Sequence, residues 1–291
     1  EPQAGERRWL RPGQIVFTYL HLAPDPAQTK DLVASGAVCV AYETVTDAMG
    51  GLPLLMPMSQ VAGRMAVQAG AHCLEKPQGG RGMLPGGVPG VHPAKVVIIG
   101  GGVVGENAAY VALGIGADVT VLDRNVHVLR ALGARFGPAL KTIYSTKLTL
   151  EEQVLAADMV IGAVLVPGAE APKLVSAQQV GRMKRGSVVV DVAIDQGGCF
   201  ETSRPTTHAD PTYVVDGVVH YCVANMPGAV SHTSTYALNN VTLPFILAIA
   251  DKGYKQAMRD DPHLMHGLNV HRGRVTHEAV ARDLGYDWLD P

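Results

Sequence analysis

The sequence predicts an α/β fold with a Rossmann-type, doubly wound parallel sheet, and three observations predict it. Strands and helices alternate through the middle of the chain, one apolar run ends in spaced glycines, and an acid closes the strand that follows. The glycines carry the most information. Lys95 to Ile99 is an apolar strand that runs into Gly100, Gly102 and Gly105, and Glu106 to Leu113 suits a helix. In a turn of this spacing the first glycine permits the sharp exit from the strand and the second lets backbone approach a pyrophosphate. The third lets the helix pack closely on the sheet. The helix N-terminus then offers free N–H groups and the positive end of its dipole to an anion. Asp118 to Leu122 reads as the next strand, and Asp123 closes it 18 residues beyond Gly105. A carboxylate there accepts the ribose hydroxyls of an adenosine and repels a 2′-phosphate, so the pattern points to NAD over NADP. A glycine-rich turn that binds no nucleotide is the alternative reading of the spacing alone.

The remaining elements follow in chain order. Gln14 to Leu20 is a strand by its β-branched and aromatic content, Asp25-Pro26 opens a helix that runs to about Ser35, and Ala37 to Tyr42 is a second apolar strand. One such βαβ unit is too little for a domain. Met58 to Leu74 has helical spacing in Val61, Met65, Ala69 and Cys73, and leads into the glycine-rich stretch 78–90. After Asp123, Asn125 to Phe136 and Ser176 to Met183 read as helices. Met159 to Ala163, Ser187 to Val192 and Val218 to Val223 read as strands. This alternation implies a parallel sheet covered on both faces. From Ser231 onward the pattern turns helical, with no further strand expected.

Composition bounds the function. The chain has 291 residues, 47% hydrophobic and 17% charged, enough for two domains with a sizeable core. Its formal net charge is −2 and its basic residues are scattered, with small clusters at Arg7-Arg8, Lys184-Arg185 and Arg272 to Arg274, so no nucleic-acid footprint is expected. No apolar run is long enough to span a membrane, no signal peptide is recognised, and a cytoplasmic protein is the default expectation. Cys39, Cys73, Cys199 and Cys222 form no C-x-x-C, and the histidines show no metal-ligand spacing, so no metal is expected.

Doubly wound sheets bind ligands at the carboxyl ends of their strands, and three such ends carry polar groups. Asp195 follows an apolar strand beside Gly197 and Gly198, Asn225 ends another before Pro227, and His21 ends the first strand before Pro24. A histidine and an aspartate in a partly dry cleft suit proton transfer near neutral pH. Taken singly, Asp195 could be a turn former and His21 a satisfied core histidine. Arg204 could position an anion or form a surface ion pair.

These residues lie in strings that resemble alanine dehydrogenases of the alanine dehydrogenase and transhydrogenase NAD-binding family. The strings are Phe-Thr-Tyr-Leu-His-Leu-Ala (17–23), Gln-Gly-Gly-Arg-Gly (78–82), Gly-Gly-Val-Pro-Gly-Val (86–91) and Ile-Gly-Ala-Val-Leu-Val-Pro-Gly (161–168). Val-Asp-Val-Ala-Ile-Asp-Gln-Gly-Gly-Cys-Phe-Glu (190–201), Ser-Arg-Pro-Thr-Thr (203–207), Cys-Val-Ala-Asn-Met-Pro (222–227) and Thr-Ser-Thr-Tyr-Ala-Leu (233–238) continue them, so the similarity covers nearly the whole chain.

The resemblance implies reversible oxidative deamination of L-alanine to pyruvate and ammonia, with hydride transfer to NAD, and with His21 and Asp195 as the catalytic groups. It places Val103 and Val104 at the pyrophosphate turn and Asp123 on the ribose. Ser59, Ser145, Val164, Leu165, Arg204, Val223, Ala224, Asn225 and Met226 would surround the dinucleotide, with Val192, Ala193, Ile194 and Asp195 beside the nicotinamide ribose. It implies an NAD-binding domain over 53–230 inserted in a second α/β substrate domain made of 1–52 and the C-terminal helices of 231–291, and a homohexamer. It also implies further βα units ahead of Glu1 carrying an arginine and a lysine for the substrate carboxylate. The segment near Ala248 and Lys252 departs from relatives in which an acid and a histidine bind magnesium. A glycine/glyoxylate-type dehydrogenase, a transhydrogenase component, or an inert NAD-binding module are the alternatives.

Overall fold

Uninterrupted runs of valine and isoleucine place the centre of this molecule. The computed structural model describes residues 1–164 and 171–290. Its strands, in chain order, are Ile15–Thr18 (β1), Val38–Ala41 (β2), Lys95–Ile99 (β3), Asp118–Asp123 (β4), Lys141–Tyr144 (β5) and Met159–Gly162 (β6). Val188–Asp191 (β7), Thr212–Val215 (β8), Val218–Tyr221 (β9), Leu268–His271 (β10) and Arg274–Val275 (β11) complete the set. They form two sheets in two units. Among the described residues, the first unit holds 1–57 and 235–290, and the second 58–164 and 171–234.

The second unit carries a seven-stranded sheet in the order β5-β4-β3-β6-β7-β9-β8. All neighbours pair in parallel except β8 and β9. Both faces are covered, which is why β6 and β7 are buried at every position and have no polar face. Alternation sorts the side chains. Ile98, Val121, Ile161 and Val190 pack on one face with Ala66 and Val67 of the helix Met56–Cys73 and Ala108 of the helix Val103–Gly114. Val97, Ile99, Val160 and Val189 pack on the other with Leu150 and Val154 of the helix Lys147–Ala156. The strand order runs one way from β3 through β4 to β5 and the other way from β6 onward. The crevice of a doubly wound sheet therefore opens at the carboxyl ends of β3 and β6.

The first unit has a four-stranded sheet in the order β1-β2-β10-β11. β1 and β2 are parallel, joined through the helix Pro26–Ser35, which Asp25 caps by accepting from Gln28 N–H and Gly36 ends at φ +67°. β10 joins β2 antiparallel from the far end of the chain. The expectation that only helices follow Ser231 is thus corrected. Arg272 and Gly273 take φ of +51° and +72°, and His271 pairs with Arg274, so two residues close a hairpin that had read as a basic cluster. Asp216 and Gly217, at φ +50° and +81°, close β8 onto β9 in the same way, and β8 had no expectation at all. No helix of the described residues is long and apolar enough to cross a membrane.

Candidate functional site

The glycine turn after β3 has three distinct constraints. Gly100 takes φ +101°, and a Cβ there would stand 2.7 Å from the Ala163 carbonyl oxygen at the end of β6. At Gly105 a Cβ would collide with the carbonyl of Gly100, so only glycine lets the helix Val103–Gly114 start this close to the strand. Gly102 differs, because a Cβ there meets nothing within 4 Å and its φ is an ordinary −68°. No contact among the described residues requires a glycine at that position. What it leaves clear is the approach to the N-terminus of a helix whose first N–H groups receive no side-chain cap. A dinucleotide pyrophosphate fits that opening by charge and by space.

Asp123 ends β4 beside this turn. One carboxylate oxygen accepts from Gly101 N–H at 2.7 Å and the other from Asn125 N–H at 2.7 Å, which fixes the acid against the glycine turn with lone pairs left for hydroxyl donors. The motif also conceals a fourth glycine. At Gly101 a Cβ would press on Val128 at 2.7 Å and Leu132 at 2.8 Å, so the helix Val126–Phe136 needs the space. Val164 follows β6 and would lie 3.2 Å from a Cβ on Gly100. Ser145 follows β5, its N–H donating to the Asp123 carbonyl at 2.9 Å. Gly63 abuts the Val104 carbonyl in the helix Met56–Cys73, and Ser59 lies one turn earlier on that helix. Leu165 lies outside the described residues.

Further along the same carboxyl ends, Val192, Ala193, Ile194 and Asp195 form a single 3₁₀ turn after β7, with Asp195 exposed. Asn225, at φ +55°, follows β9, and its N–H donates to the Asp195 carboxylate at 3.3 Å. Val223 and Met226 are buried and Ala224 is exposed beside it. The structure therefore brings Asp195 and Asn225 into contact. Arg204 packs against Tyr213. Its guanidinium lies 4.1 Å over the Tyr213 ring, and its backbone N–H donates to the Tyr213 hydroxyl at 2.8 Å.

His21 belongs to the first unit. It follows β1 at φ +46°, an uncommon conformation for a side-chain-bearing residue, with its imidazole stacked on Tyr19 at 5.9 Å. A residue absent from the sequence reading holds it there. Glu43 accepts from His21 N–H at 2.6 Å and from Leu20 N–H at 3.1 Å, and its carboxylate stands 3.9 Å from the His21 Nδ1.

Models of the alanine dehydrogenase/PNT family match along the chain, the C-terminal domain over residues 66–278 and the N-terminal domain over 1–62. The chain belongs to the alanine dehydrogenase/PNT family. It is 63% identical over 290 residues to the alanine dehydrogenase of Halomonas elongata, spanning 100% of this chain and 78% of that protein. To the alanine dehydrogenase of Mycobacterium tuberculosis it is 57% identical over 291 residues, with the same two shares. A solved L-alanine dehydrogenase superposes with a TM-score of 0.92 at 52% identity, covering 98% of this chain and 79% of that one. A transhydrogenase from Sinorhizobium meliloti gives 0.76 at 25% identity, covering 95% and 79%. As a member of the alanine dehydrogenase/PNT family the chain is an oxidoreductase with an NAD-binding fold, and the glycine turn is where that fold presents its free helix N-terminus.

Proposed function

We propose that this chain is an NAD-dependent alanine dehydrogenase that converts L-alanine reversibly to pyruvate and ammonia. The observation that carries the proposal is whole-chain identity of 56–63% to proteins named alanine dehydrogenase, combined with a glycine turn whose middle residue is left open among the described residues. In this reading Gly100, Gly102, Val103, Val104 and Gly105 hold the pyrophosphate and Asp123 the adenosine ribose. Ser59, Ser145, Val164, Arg204 and Val223 to Met226 line the dinucleotide, with Val192 to Asp195 beside its nicotinamide ribose. When bound there, the nicotinamide would supply the acceptor for the hydride of the alanine α-carbon. His21 exchanges protons with the substrate nitrogen and the new oxygen, and Asp195 takes a proton from the water that adds to the iminium carbon. Water supplies the carbonyl oxygen of pyruvate, and the nitrogen leaves as ammonia.

On the same grounds we assign residues 53–230 to the NAD-binding domain and 1–52 with 231–291 to the substrate domain, and we propose a cytoplasmic homohexamer. The test is NADH formation with L-alanine, glycine and L-serine as competing substrates. L-alanine is expected to give the highest kcat/KM by at least about tenfold, a difference of about 1.4 kcal/mol in the transition state. Equal or greater turnover of glycine would reject the substrate assignment.

A further inference from the structure

We propose that Asp191 is the positioning residue for Asp195. Its buried carboxylate ties down both ends of the loop that carries Asp195 and thereby fixes the acid at the loop's tip. The inference rests on the reading of Asp195 as a catalytic group.

Asp191 is the last residue of β7, is 0% exposed, and pairs with Gly162 of β6. One oxygen accepts from Ala193 N–H at 3.1 Å, where the loop departs. The other accepts from Cys199 N–H at 2.9 Å, Phe200 N–H at 3.4 Å and the Ser203 hydroxyl at 2.6 Å, where the loop returns. The Cys199 thiol points at the first oxygen from 3.7 Å. All of these partners are donors, so the site is built for an ionised carboxylate, which alone accepts at every lone pair. Two glycines make the room. Gly198 takes φ +78°, and a Cβ there would stand 2.6 Å from the Asp191 carboxylate and 2.9 Å from Ser203 Cβ. A Cβ on Gly162 would stand 3.1 Å from the other Asp191 oxygen and collide with the Cys199 sulfur. The outer side of the loop is clamped as well, Ala171 N–H donating to the Gln196 carbonyl at 2.8 Å and the Lys173 ammonium to the Gly198 carbonyl at 2.9 Å.

Burying a carboxylate is costly, and an apolar side chain would fill the same space at less expense. What an apolar residue could not do is hold Ala193 and Cys199 to one point. With both ends pinned, the turn Val192–Gln196 presents Asp195 in a single orientation toward Asn225.

The test is a double-mutant cycle on kcat with Asp191→Asn and Asp195→Asn, alongside the Kd for NADH and thermal melting. Asp191→Asn turns an amide N–H toward donors. It is expected to lower kcat by about tenfold while the Kd for NADH moves less than about threefold. In the Asp195→Asn background the same change is expected to cost less than about threefold, because the group it orients is already disabled. Gly198→Ala, which pushes on the same carboxylate, is expected to reproduce the kcat loss. If Asp191→Asn does not fold, Ser203→Ala removes a single donor and carries the same cycle with a fall of about threefold in kcat. A full penalty from Asp191→Asn on top of Asp195→Asn, or wild-type kcat in both Asp191→Asn and Gly198→Ala, overturns the positioning role alone. Wild-type kcat in Asp195→Asn overturns the catalytic reading of Asp195 and the inference with it.

Discussion

At His21 the backbone adopts φ +46°, a conformation that costs of order 1 kcal/mol, and two N–H groups converge on one carboxylate to offset it. Glu43→Ala leaves both N–H groups without their acceptor. We expect it to lower kcat at least about tenfold and to destabilise the first unit by about 1–3 kcal/mol, seen as a lower Tm and slower NADH formation. Unchanged values in both would detach Glu43 from the histidine. Asp123→Ser is expected to narrow the preference for NAD over NADP by about tenfold in kcat/KM, since the charge that repels a 2′-phosphate is gone. An unaltered ratio would show that the acid does not meet the ribose. At this scale the sequence exposed His21, Asp123 and Asp195 through their places at strand ends. It concealed Glu43 and Asp191, because each acts across a loop on backbone N–H groups and no local pattern marks an acceptor whose donors lie up to 23 residues away.

Among elements, the turn between β3 and the helix Val103–Gly114 allows a sharp comparison. Gly105→Ala drives a methyl into the Gly100 carbonyl and should destabilise the protein by about 1–3 kcal/mol along with loss of NADH binding. Gly102→Ala places its methyl in open space. Its Tm should stay within a few degrees of wild type while NADH binding weakens more than about tenfold. Titration calorimetry and melting curves on the pair separate a glycine the fold needs from one the ligand needs.

The β8–β9 hairpin carries a pH signature. His220 is buried there, donating from Nδ1 to the Val218 carbonyl at 3.0 Å and accepting at Nε2 from the Thr202 hydroxyl at 2.8 Å. Burial holds its pKa below the ordinary 6.5 despite the Val218 bond. The unfolded chain therefore takes up the proton first. This share of stability is complete above about pH 6.5 and is lost as the pH falls through the folded value. A His220→Gln variant should lose less Tm than wild type between about pH 7 and pH 5. An identical loss would place the acid sensitivity elsewhere. The apolar strands β3, β6 and β7 were legible because burial on both faces demands unbroken runs. β5, β8, β10 and β11 were not, since Lys141, Thr212, Asn269 and Arg274 interrupt their apolar pattern.

For the whole molecule, alternation of strand and helix was enough to foresee the parallel sheet of the second unit. In the first unit the parallel pair β1–β2 was legible as a βαβ unit, but the strands that complete its sheet, β10 and β11, were not. β10 pairs Leu268 with Val40, a contact between distant parts of the chain that only the folded topology creates. Because the dinucleotide binds the native state alone, NADH at about a hundred times its Kd should add about 2.7 kcal/mol of stability, read as a rise in Tm that falls to about half or less in Gly102→Ala. The most direct measurement of the central claim is calorimetric titration of the folded protein with NADH, run on wild type and on Gly102→Ala with melting curves to verify the fold. Saturable binding to wild type, weakened more than about tenfold in a variant of unchanged stability, is the predicted result. Equal binding by both proteins would contradict the assignment of the glycine turn as the pyrophosphate cradle.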